Sequence, residues 1–174
     1  MKGRGFDPDE IVKLWGLQAL GLSGFLSWRI FIPIVYHGRM VSWTTRTIGD
    51  QEPRYISARP DQELVSIKQS LLGEDYVRDV VIVVEGPFDA MRVGPGAVAL
   101  FGNAVSPAQI KKLSQIPTRV ICLDNETEAQ RRACKLCSLL EPFPGRTINV
   151  VLDAKDPGSA SEHEIQLLRR SFLK

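Results

Sequence analysis

The stretch that most constrains this chain is Val80-Val81-Ile82-Val83-Val84, followed at once by Glu85-Gly86-Pro87. Five apolar β-branched residues in a row leave no polar face. Such a run suits a strand covered on both sides, as in a parallel sheet. Gly86 permits a tight turn, and Pro87 fits the first turn of a following helix. An acid at the carboxyl end of a buried parallel strand stands on the edge where open α/β sheets bind their ligands. Glu85 therefore reads as a carboxylate held by a rigid strand and aimed at a cleft.

The pattern repeats downstream. Strands are expected at Ala97–Phe101, Arg119–Leu123 and Thr147–Leu152. Helices are expected near Phe88–Val93, from Ser106-Pro107 to Leu113, over Glu126–Leu140 and over Ser161–Phe172. Ser106 caps with Pro107 at the first helical position, and the last helix carries Glu162 and Glu164 early and Arg169, Arg170 and Lys174 late, matching its dipole. Four alternations of strand and helix predict an α/β unit, a four-stranded parallel sheet with helices on both faces.

The first half has a different rhythm. Asp7-Pro8-Asp9-Glu10 starts a helix that runs to about Trp15 and stops before Gly16. Ile30–Val35, Met40–Thr45 and Arg54–Ile56 read as short strands, with a tight turn at His37-Gly38-Arg39. Asp61 is expected to cap a helix from Gln62 to Leu72, closed by Gly73. This predicts a small mixed α+β subdomain over residues 1–78, ahead of the parallel unit over residues 79–174.

With 44% apolar and 24% charged residues in 174, the chain has an ordinary globular composition. A net charge of +2 puts any nucleic-acid surface down to local clustering. No run reaches membrane-span length and no signal-peptide pattern starts the chain, so a cytoplasmic location is expected. Cys134 and Cys137 form a lone CxxC without two further ligands; they read as thiols on the inner face of a helix, and Cys122 as part of a strand. Trp15, Trp28 and Trp43 read as core or subdomain-interface residues. His37 and His163 have no partner at ligand spacing.

Glu85, Asp124, Glu126, Asp153 and Asp156 all follow the carboxyl ends of expected strands, and Asp89 lies one helical turn past Glu85. In a parallel sheet those ends share one edge. A cluster of carboxylates suits Mg²⁺, which takes a few oxygen ligands and keeps several waters, and such ions serve phosphoryl chemistry. Asp153 reads either as a support for these acids or as a strand cap.

Four segments carry a resemblance: Glu85-Gly86-Pro87-Phe88-Asp89, Ala99-Leu100-Phe101-Gly102-Asn103-Ala104, Leu123-Asp124-Asn125-Glu126 and Lys155-Asp156-Pro157-Gly158. As a set they resemble the Toprim domain of bacterial-type DNA primases, type IA and II topoisomerases and some nucleases. That family has a Glu after its first strand and a DxD after its third; here the second acid is Glu126. Arg4-Gly5-Phe6, Arg29-Ile30-Phe31-Ile32-Pro33-Ile34, Arg46, Arg54-Tyr55-Ile56-Ser57 and Lys68 resemble, in the same order, the catalytic core of bacterial and phage DNA primases. Lys68 matches a Lys in the helix leading to the Toprim domain. Gly158 stands where family cores often carry a further acid.

The resemblance implies template-directed synthesis of short RNA primers by metal-dependent nucleotidyl transfer. Asp124, Glu126 and Asp156 would hold Mg²⁺ (or Mn²⁺) against a nucleoside triphosphate. Glu85 would be a ligand or the general base, and Asp89 would support it. Arg46, Arg54 and Lys68 would line a groove for single-stranded DNA template or triphosphate, and Tyr55 could stack on a base. A zinc-binding module and a replicative helicase are the partners implied. No zinc-ribbon precedes this core and no helicase follows it, so the chain reads as an excised core or as a short phage-type protein. A Toprim nuclease and a non-catalytic nucleic-acid-binding module are the alternatives; the Arg46/Arg54 subdomain favours the primase.

Overall fold

The computed structural model describes residues 7–102 and 104–173; Arg4-Gly5-Phe6, Asn103 and Lys174, which carry part of the sequence reading, lie outside them. The elements run α1 (Pro8–Trp15), β1 (Gln18–Ala19), β2 (Arg29–Tyr36), β3 (Arg39–Thr47), β4 (Tyr55–Ser57), β5 (Val80–Val84), α2 (Pro87–Val93), β6 (Ala97–Ala99), α3 (Pro107–Ser114), β7 (Thr118–Ile121), α4 (Thr127–Leu140), β8 (Arg146–Asn149) and α5 (Glu162–Phe172). β1 to β4 form an antiparallel sheet in chain order, and the second sheet is ordered β6-β5-β7-β8 with every pair parallel.

Local chemistry sets most of these boundaries. The Asp7 side chain accepts from the N–H groups of Asp9 and Glu10, which starts α1, and Gly16 ends it in the left-handed conformation. His37 and Gly38 both have positive φ (51° and 70°), as a two-residue hairpin turn between right-twisted strands requires. The Asp75 carboxylate accepts from both of their N–H groups at 2.8 Å, which offsets the cost of that conformation at His37. Pro33 sits inside β2, where β1 pairs only opposite Ile30 and Phe31, so its missing donor breaks no bond on that side.

The β5 run is buried as its composition demands, and its side chains alternate between two cores. Ile82 and Val84 pack with Ala90, Met91 and Val93 of α2 and Ile165 and Leu168 of α5. Val81 and Val83 pack with Leu113 of α3 and Ala129, Ala133, Leu136 and Leu140 of α4. Helices thus cover both faces of the parallel sheet. Each fully buried Val or Ile contributes roughly 1.5–3 kcal/mol. The first core also takes in Ile11, Trp15, Ile32, Ile34, Val41 and Leu72, so the antiparallel sheet is packed onto the parallel unit rather than tethered to it.

The expected helix from Gln62 to Leu72 does not form. Three short 3₁₀ turns, Pro60–Gln62, Ile67–Gln69 and Glu74–Tyr76, take its place, and Leu72 forms a β-bridge with Ala99. Tertiary partners claim the backbone groups a helix would use. Leu64 and Val65 donate to the Val41 carbonyl, Leu72 exchanges both bonds with Ala99, and the Glu63 carboxylate accepts from Ile67 N–H. Lys68 therefore stands on a 3₁₀ turn, not a helix. The two-residue β1 was not expected. Trp28 is exposed with φ 57°, contrary to its assignment to the core, whereas Trp15 is buried and Trp43 packs on Phe31. Cys137 lines the α4 core but Cys134 faces outward. No helix among the described residues is long and apolar enough to cross a membrane.

Candidate nucleotidyl-transfer cleft

The carboxyl edge of the parallel sheet faces the antiparallel sheet across a cleft of about 800 Å³. Glu85, Asp89, Asp124 and Asp156 line one wall; Arg46, Arg54, Tyr55 and Lys68 line the other. Eight of the nine site residues expected from sequence thus meet in one cavity.

Backbone turns hold the acidic wall. Asp89 is at the third position of α2. Its Oδ2 accepts from Gly86 N–H and its Oδ1 from Gly158 N–H, both at 3.0 Å. A Cβ on Gly86 would stand 2.8 Å from Oδ2, and one on Gly158 would stand 2.7 Å from Oδ1. Both glycines are thus required by close approach, and Asp89 ties the β5–α2 turn to the loop after β8. Asn125 ties the β7–α4 turn to that same loop, donating its N–H to the Lys155 carbonyl at 2.7 Å and its side-chain amide to the Leu152 carbonyl at 2.9 Å. Asp156 Oδ1 accepts from Ser159 N–H at 2.7 Å.

Burial, reinforced by neighbouring acids, raises the proton affinity of two of these residues, Asp124 and Asp89. Burial, followed by the charges of Glu85, Asp89, Asp156 and Glu126, pushes Asp124 up to about 7. Burial and then the charge of Asp156 push Asp89 up to about 6, against the two glycine N–H groups, which favour its anion. Asp124 Oδ1 is buried without any hydrogen-bond partner. An orphaned buried carboxylate oxygen beside further carboxylates is a donor set that fits a hard divalent cation such as Mg²⁺. No set of three acids, histidines or cysteines among the described residues already converges on a single point that could hold an ion.

Glu126 is the ninth expected residue and lies outside the cleft lining. It is the N-cap residue of α4 without a side-chain cap bond, and it pairs with Lys155 at 3.1 Å in an exposed ion pair. Asp153 is exposed, and its N–H donates to Glu164 at 2.6 Å.

On the basic wall, the Arg46 guanidinium donates to Tyr55 Oη at 2.7 Å and lies over the Tyr55 ring at 5.1 Å and the Phe88 ring at 5.2 Å. Because Phe88 belongs to α2, this stack joins the two walls beside the acids. Burial raises the Tyr55 pKa, opposed by Arg46. Arg29 is buried and donates to the Pro53 and Arg54 carbonyls at 2.7 and 3.3 Å, which fixes the segment carrying Arg54.

Phe88 and Glu63 in the cleft lining, and Arg132 outside it, had no site role in the sequence reading. Phe88 and Glu63 carry no spacing signal. Arg132, on α4, donates to Glu85 Oε1 at 2.5 Å; only its place beside the buried Ala129–Ala133 stripe marks it as facing the sheet.

No family model matches the chain. It is 31% identical to a DNA primase of Thermotoga maritima over 84% of this chain, and 25% identical to one of Clostridium acetobutylicum over 90% of it; each match spans 28% of the relative. The chain thus spans little more than a quarter of the length of these relatives. Among solved structures, the Aquifex aeolicus primase with its zinc-binding and RNA polymerase domains superposes with a TM-score of 0.80 at 23% identity, over 98% of this chain and 54% of that one. The DnaG catalytic core gives 0.78 at 17% identity, over 98% and 70%. A chain of the bacteriophage T7 lagging-strand DNA polymerase complex, in which the polymerase interacts with primase domains of two gp4 subunits in the presence of an RNA/DNA hybrid and dTTP, gives 0.63 at 17% identity, over 98% and 86%. In sequence this chain is similar to bacterial DNA primases, and its fold is that of the Toprim-bearing catalytic core of bacterial and phage primases.

Proposed function

We propose that this cleft joins ribonucleotides on a single-stranded DNA template, making or extending a short RNA primer. The observation that carries the reading is the opposition of two walls: an acidic rim fit for a divalent cation, and a basic, aromatic wall of Arg46, Arg54, Tyr55 and Lys68. The sequence similarity to DNA primases and the fold shared with primase catalytic cores support it.

In this reading Asp124, Asp156 and Glu85 would hold Mg²⁺ or Mn²⁺, and the ion would supply charge neutralisation at the triphosphate and a more acidic attacking hydroxyl. Glu126 joins that set only by leaving Lys155. Asp89 positions the loops that bear Glu85 and Asp156. A 3′-hydroxyl attacks the α-phosphate and pyrophosphate leaves, with Glu85 as ligand or as acceptor of the hydroxyl proton. Arg46, Arg54 and Lys68 hold phosphates of template or triphosphate, and the Tyr55–Arg46 stack offers a flat face to a base. We assign the nucleic-acid groove to residues 1–78 and the ion site to residues 79–174. A zinc-binding module and a helicase are the partners this reading implies, and the replication fork of a bacterial or phage-infected cytoplasm its setting.

The test is product length. The chain is mixed with single-stranded template, labelled ribonucleotides, and Mg²⁺ or Mn²⁺. Labelled oligomers that grow on the template, with or without a supplied short primer, are expected. A shortened template would make the cleft a nuclease, and retained binding without either product would make it a binding module.

A further inference from the structure

The acids of the cleft are not equally supplied with counter-charge. Asp124 Oδ1 is buried without a hydrogen-bond partner. Among the described residues, Asp89 is held by backbone N–H groups. Among them too, Glu85 is the one acid of the parallel-sheet wall with an ion-pair partner, Arg132, whose Nη2 lies 2.5 Å from Oε1. The pair is well shielded, with side-chain exposures of 29% for Arg132 and 18% for Glu85. It is also built by the topology: β5 and β7 are neighbours, so the helix that follows β7 passes beside the end of β5. Arg132 sits next to Ala129, Ala133 and Leu136, which seal α4 onto the sheet, so its stem is fixed and its head reaches Glu85.

A guanidinium so placed has two opposed effects on a cation site. It orders the Glu85 side chain when no ion is present and offsets its charge, relieving repulsion among the acids. It also puts a positive charge beside the point a divalent ion must reach, and in a partly dry cleft that repulsion is weakly screened. A metal ion that uses Glu85 must share or displace the Arg132 bond.

We propose that Arg132 is a positioning residue that acts as the resident counter-cation of Glu85 and competes with the divalent ion for it, setting how tightly the cleft binds metal. This rests on the metal-binding reading above. The arrangement makes ion occupancy weak in the empty cleft. It favours arrival of the ion with a triphosphate, whose own negative charge offsets Arg132.

The experiment is direct titration of the full chain with Mn²⁺ alone, following the spin-resonance signal of the free ion, so that no catalysis is needed. Arg132→Gln should tighten Mn²⁺ binding about tenfold, because a repelling charge is removed. Arg132→Lys, which keeps the charge, should stay within about twofold of the parent by the same argument. If Arg132→Gln fails to fold, Arg132→Met, which keeps the packing of the stem, carries the same expectation. Unchanged or weaker Mn²⁺ binding by a folded neutral variant, while Asp124→Asn abolishes binding, overturns the role of Arg132 and leaves the ion site standing. A parent chain that binds no Mn²⁺, or an Asp124→Asn chain that binds it equally well, overturns the ion site itself.

Discussion

Asp124 is a carboxyl group held where its charge is disfavoured. Its raised pKa means that the folded chain holds a proton there that the unfolded chain has already released. Between about pH 4, where an unfolded Asp titrates, and about pH 7, its folded value, the native state binds more protons. Its contribution to stability therefore falls as pH rises through that window, and Asp89 acts in the same direction up to about 6. Thermal melts of the metal-free chain should show a smaller pH-dependence in Asp124→Asn than in the parent, and a higher melting temperature for the variant at pH 7.5. A variant that melts below the parent at that pH would mean the carboxylate is stabilised after all. Glu126 makes the contrast. It is exposed and paired with Lys155, and such pairs carry little energy. Glu126→Ala should leave Mn²⁺ affinity within about twofold of the parent. The resemblance to the Toprim DxD put Glu126 with the ligands; in the structure it stands at the N-cap of α4, exposed and paired with Lys155, a direction that the motif does not record. Arg132 was illegible for a related reason: its partner lies 47 positions away on another strand.

Among the elements, the turns that carry the acids are held by backbone contacts rather than by helix propensity. Gly158 is the sharpest case. The sequence reading marked it as a lost acid, but its N–H holds Asp89, and a Cβ there would stand 2.7 Å from Asp89 Oδ1 and push that carboxylate aside. Gly158→Ala should destabilise the fold by about 1–3 kcal/mol through overpacking, read from urea unfolding. An unchanged midpoint would show that the loop yields freely. The parallel strands and their helices were legible because each is a local pattern: a continuous apolar run, a Ser106-Pro107 start, acids early and bases late in α5. Residues 60–76 were not. Asp61 and the Leu71–Gly73 end imitate helix signals, yet Val41 and Ala99 claim the backbone from elsewhere in the chain.

At the scale of the molecule, the shared core fixes the basic wall opposite the acidic one, so nucleic-acid affinity and catalysis should be separable. On the proposed reading Arg46, Arg54 and Lys68 would supply three phosphate contacts, and binding to single strands should be weak and salt-sensitive, with a log–log slope of roughly −2. Replacing Arg46 and Arg54 together by Ala should flatten that slope by about 1.4 while Mn²⁺ binding stays intact. Identical slopes for parent and double variant would place the nucleic-acid track elsewhere.

The most direct test of the central claim, that the acidic rim performs nucleotidyl transfer, is extension of a short RNA primer on single-stranded DNA with Mn²⁺, comparing the parent chain with Glu85→Gln and Asp124→Asn. Both substitutions are nearly isosteric, so circular dichroism should show folded protein. The account predicts measurable extension by the parent and a loss of at least about 100-fold in each variant. Parent-like extension by either folded variant would contradict it.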